Sequence, residues 1–111
     1  MRKFHVAFKG LVFFFKNELN AKIHAAISIM VIVSGFYFKL NLIEWGLISI
    51  SIALVFTAEI INTAIEKAMD LVHPEENPYV GIIKDVAAGA VLFASIMSAV
   101  IGLLVFVPHL M

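Results

Sequence analysis

Apolar and polar positions along this chain follow two patterns, and the change from one to the other marks its elements. Over the first sixteen residues Phe4, Phe8, Leu11, Val12 and Phe15 recur at three-to-four spacing, while His5, Lys9 and Lys16 fall towards another face. This predicts an amphipathic helix lying on a membrane surface, over residues 1–20. Three long apolar stretches follow, from about Ile23 to Phe38, Leu42 to Ile65 and Val86 to Val107. The second and third reach the roughly 20 residues that a spanning helix needs, and the first does so with Leu40 included. Backbone groups in lipid must be bonded within the segment, so the runs predict three membrane helices, over about residues 23–40, 42–70 and 84–107. A short turn of Lys39, Leu40 and Asn41 joins the first two. The segment LVHPEENPYVG joins the last two, with Pro74 and Pro78 as breakers.

Composition sharpens the picture. With 111 residues the chain is one domain, 1–111. It is 62% hydrophobic, above the range of soluble domains, and its mean hydropathy is +1.02. Zero cysteines exclude a disulfide framework and a thiolate metal site. A net charge of zero argues against a nucleic acid partner. Arg2, Lys3, Lys9, Lys16 and Lys22 precede the first span, Lys67 and Lys84 flank the second loop, and Lys39 lies on the other side. The positive-inside rule then predicts a multi-pass membrane protein with the N-terminus and the HPEENPYV loop cytoplasmic and the C-terminus outside. The N-terminal segment lacks the pattern of a cleavable signal, because Lys9 and Lys16 interrupt its apolar residues.

The candidate chemistry lies on the second span. Glu59, Asn62, Glu66 and Asp70 are spaced three, four and four apart, within about 80° of one helix face. A carboxylate on a helix entering lipid costs several kcal/mol unless it meets a partner or water. Such a stripe can hold a hard cation and accept a proton. Glu18 and Asn20 stand where the surface helix meets the first span, and Lys84 and Asp85 where the loop enters the third. Together these residues predict a site at the membrane boundary for magnesium and a polyphosphate. Ala87, Ala88, Gly89 and Ala90 would let the helices approach. No Walker A loop is present. His24 reads as an interfacial anchor rather than a ligand or base, and His5, His73 and His109 as surface residues.

EIINTAIEKAMD followed by KDVAAGAVL, with AFKGL and ELNAKIH upstream, resembles the small prokaryotic-type diacylglycerol kinase family, which includes diacylglycerol and undecaprenol kinases. The resemblance covers nearly the whole chain. It implies an all-α membrane homotrimer that transfers the ATP γ-phosphate to a lipid alcohol with Mg2+. By the same resemblance Glu59 is the general base, Glu18 and Glu66 are magnesium ligands beside ATP, Lys84 and Asp85 lie at the nucleotide phosphates, and Asn62 and Asp70 order the site. ELNAKIH is nearer the undecaprenol kinase branch, with diacylglycerol as the alternative substrate. Two other classes compete: an oligomeric proton- or cation-conducting bundle, and a structural subunit whose stripe docks a partner. The clustering of charge towards one membrane face and the dry run from Leu47 to Phe56 argue against conduction.

Overall fold

The polar breaks at Glu18, Lys39–Asn41 and His73–Asn77 divide the chain into four helices in the computed structural model, which describes residues 2–111. These are α1 (Arg2–Asn17), α2 (Leu19–Tyr37), α3 (Leu42–Val72) and α4 (Pro78–Leu110). The last three are long and apolar enough to cross a membrane.

Each junction has a local cause. Glu18 adopts an extended conformation (φ −99°, ψ 122°), which ends α1 and starts α2. After α2, Lys39 takes a left-handed conformation (φ 57°), and the Leu40 amide donates back to the Gly35 carbonyl at 3.1 Å. Asn41 then caps α3 in a capping box: its side chain accepts from the Glu44 amide, and the Glu44 carboxylate accepts from the Asn41 amide, both at 2.9 Å. Asn77 caps α4 by accepting from the Tyr79 amide at 2.8 Å, with Pro78 opening the helix. This cap explains why α4 begins well ahead of the apolar run at Val86.

Most tertiary contact lies between α3 and α4. α3 buries Ile48, Ser51, Val55 and Glu59, one side chain every three or four residues, and α4 buries Ala87, Ala94 and Val105. The apolar core gathers at the end where α3 begins, around Leu40, Ile48 and Val105, with Trp45 and Phe106 packed on it. There Gly35 takes the Trp45 indole against its backbone. Within the run expected to be dry, the buried Ser51 hydroxyl is satisfied by the Ser98 hydroxyl of α4. Beyond Val55 the same seam becomes polar. With 31 residues α3 is about 46 Å long at 1.5 Å per residue, which exceeds the roughly 30 Å hydrocarbon core and carries its last turns out of it.

Candidate active site at the polar end of α3

Glu59 is the hinge between the apolar and polar halves of the α3 seam. It is only 5% exposed, because it continues the row of Ile48, Ser51 and Val55. Its Oε1 lies 3.2 Å from Nε2 of His24 on α2. Its Oε2 is buried and has no hydrogen-bond partner. One turn further on, Asn62 repeats the arrangement: Nδ2 donates to Glu66 Oε1 at 3.2 Å, while the buried Oδ1 has no partner. Two acceptor oxygens on successive turns of one helix face are thus left free. Buried acceptors of this kind carry a desolvation cost that is recovered only when a donor or cation arrives.

The remaining charged residues sort into pairs. Lys67 lies 3.5 Å from Glu18 and stands over the Phe13 ring, so it ties the start of α2 to α3 and α1. Lys84 on α4 forms an ion pair with Asp70 on α3. Asp85 is exposed beside it on α4, and Glu66 is exposed on α3. Asp70 and Lys84 also line a polar cavity of about 550 Å³ under the α3–α4 loop, walled by His73, Glu75 and Asn77.

An aromatic wall sets the position of His24. Phe14 packs edge-on against Phe15, Phe15 contacts Phe56 on α3, and Phe56 meets the His24 ring edge-on. His24 closes one end of a largely apolar cavity of about 270 Å³ between α2, α3 and α4. Sequence reasoning cast His24 as an interfacial anchor. Its partner lies 35 positions away on another helix, and no spacing rule connects them. By sequence Lys67 is only a charge flanking the second loop; in the fold it meets Glu18. His109, read as a surface residue, is half-buried and lies 2.8 Å from Glu44 at the opposite end of the bundle.

The donor set suits a hard cation in one respect and falls short in another. Glu18 and Glu66 offer carboxylate oxygens, as magnesium requires, but among the described residues no three acidic or histidine side chains converge to hold a metal ion. Magnesium is commonly bound by one or two carboxylates, with phosphate and water completing its shell. By donor type alone Glu18, which here faces Lys67, and Glu66 could each contribute to a magnesium ion that arrives with a polyphosphate.

Three spanning-length helices with a carboxylate row at one end place the chain in the class of small helical membrane proteins with a polar site at the lipid boundary. Residues 5–106 match the family described as prokaryotic diacylglycerol kinase, and the chain belongs to that family; it is a lipid kinase. It is 41% identical over 95 residues to an undecaprenol kinase of Bacillus subtilis, covering 86% of this chain and 77% of that one. It is 32% identical over 109 residues to a diacylglycerol kinase of Synechocystis, covering 97% of this chain and 62% of that one. A diacylglycerol kinase of Helicobacter pylori is 35% identical over 75 residues, 68% of this chain and 59% of its own length.

Proposed function

We propose that the protein phosphorylates undecaprenol to undecaprenyl phosphate, using ATP and Mg2+ at the cytoplasmic face of a bacterial inner membrane. The observation that carries this reading is the buried Glu59, held through one oxygen by His24 and free at the other. The substrate preference follows the identity to the Bacillus undecaprenol kinase. Diacylglycerol is the second reading, on the likeness to the Synechocystis protein.

The lipid hydroxyl approaches from the bilayer and donates its hydrogen bond to Glu59 Oε2. As the hydroxyl oxygen bonds to the γ-phosphorus of ATP, its proton passes to Oε2 and the bond from the γ-phosphorus to the β,γ-bridging oxygen breaks, releasing ADP. Phosphoryl transfer asks a protein mainly for positioning and charge neutralisation, and a placed carboxylate suffices as base. Magnesium, held by Glu18 and Glu66 together with the phosphates, would neutralise charge on the β- and γ-oxygens. Lys84 and Asp85 lie towards the nucleotide phosphates, and Asn62 and Asp70 order Glu66 and Lys84. α1, whose Phe4, Phe8 and Val12 are exposed, rests on the membrane surface. Exposed apolar faces on α2 and α4, together with so thin a bundle around a charged site, support oligomerisation, and the family resemblance makes the proposed oligomer a homotrimer.

The test is phosphate transfer from labelled ATP by purified protein in mixed micelles, offered undecaprenol and diacylglycerol in parallel. The wild type is expected to label undecaprenol preferentially. Glu59→Gln should lose about a hundredfold or more in kcat, within the span of general-base contributions. Normal turnover by Glu59→Gln would remove Glu59 as base, and labelling of diacylglycerol alone would reverse the substrate assignment. A detergent-corrected mass of one chain would overturn the trimer.

A further inference from the structure

The contact between His24 and Glu59 joins two helices at the one buried carboxylate of the polar stripe, and the general-base reading does not by itself explain it. Glu59 leaves α3 on a side chain with three rotatable bonds. A carboxylate that is to present one chosen oxygen to a hydroxyl must be prevented from turning. The lysines of α3 and α4 face other carboxylates: Lys67 faces Glu18 and Lys84 faces Asp70. What meets Glu59 is the His24 ring, 3.2 Å away through Nε2 and with its side chain 26% exposed. The ring is itself restrained by Phe56, which is held by Phe15 of α1. His24 also borders the cavity between α2, α3 and α4, so it stands between that apolar space and the carboxylate.

We infer that His24 is a positioning residue for phosphoryl transfer. Its Nε2, 3.2 Å from Glu59 Oε1, restrains the carboxylate through that contact and so directs Oε2 at the lipid hydroxyl. This inference rests on the reading of Glu59 as the base. His24 acts through Glu59 and touches neither nucleotide nor reacting atoms. A partner that orients a catalytic group changes the rate of the chemical step and leaves substrate affinity alone, because substrates bind before the carboxylate is called upon.

His24→Phe keeps a ring against Phe56 and removes the nitrogen. His24→Gln restores an N–H donor at a similar reach. With both variants assayed beside wild type and Glu59→Gln, His24→Phe is expected to lose about tenfold to a hundredfold in kcat, the range seen when groups that orient first-contact residues are removed. Its KM for MgATP and for the lipid alcohol should stay within about twofold of wild type. His24→Gln should recover most of the lost rate. Wild-type kcat in His24→Phe, with Glu59→Gln inactive, would overturn the inference about His24 and leave the base reading in place. A loss expressed in KM, or no recovery in His24→Gln, would also overturn it, since either points to a packing or binding role. Normal turnover by Glu59→Gln would instead show that the base reading, and with it the basis for His24, is wrong.

Discussion

At the scale of single residues, the polar row on α3 is a set of side chains with different degrees of commitment. Glu59 has one oxygen against His24 and one free, Asn62 has its amide nitrogen engaged and its oxygen free, and Glu66 accepts from the Asn62 amide while remaining exposed. The gradient from buried to exposed runs from the end suited to a lipid hydroxyl to the end suited to a soluble nucleotide. Glu66→Gln keeps an acceptor for Asn62 but removes the charge a magnesium ion needs. It is expected to raise the KM for MgATP about tenfold or more, because charge-assisted ligation is lost. An unchanged MgATP affinity, measured by titration of nucleotide binding, would exclude Glu66 as a ligand. The stripe itself was legible from helical spacing, since three carboxylates do not recur on one face of an apolar helix without cause. The partners were less so. Lys84 stands beside Asp85 in sequence, yet its ion pair is with Asp70, fourteen positions away across the α3–α4 loop. Pairings of this kind are set by how two helices lie, which a linear pattern does not contain.

At the scale of elements, α3 and α4 divide stability and chemistry between their two ends. The apolar core sits around Ile48 and Val105, and the site lies several turns away, where close packing gives way to ion pairs. The α2–α3 turn anchors the apolar end. A β-carbon at Gly35 would lie 2.5 Å from Trp45 Cη2, so the indole must move aside to accept it. Gly35→Ala is therefore expected to destabilise the fold by about 1–3 kcal/mol, the usual cost of overpacking. The site lies at the other end of α3, so kcat of the folded fraction should hardly change. Thermal unfolding in detergent, read beside the assay, checks both; an unshifted midpoint would mean that the indole yields freely. The existence and type of the long helices followed from hydrophobic runs that leave no other backbone solution in lipid. The start of α4 at Pro78 did not, because it depends on the Asn77 cap in a stretch that reads as a loop.

At the scale of the molecule, one chain is a slender body of 52 × 37 × 20 Å, with Phe36, Leu42 and Leu103 largely exposed. Such surfaces suit lipid or further copies of the chain, and this is why hydropathy made a membrane protein plain while leaving the number of copies open. The pair of Glu44 and His109 has a further consequence, for how the protein is made. In the proposed orientation, with the α3–α4 loop cytoplasmic, Glu44 and His109 belong to the far side, and the helix pair would carry them through the hydrocarbon. A lone carboxylate makes that passage at a cost of several kcal/mol. A carboxylate 2.8 Å from an imidazole has a polar partner and need not cross alone. Insertion of α3 and α4 together is therefore expected to be easier than insertion of α3 alone. His109→Ala should slow insertion during membrane-coupled translation while leaving the finished enzyme's kcat intact; equal insertion rates would show that Glu44 crosses unaided.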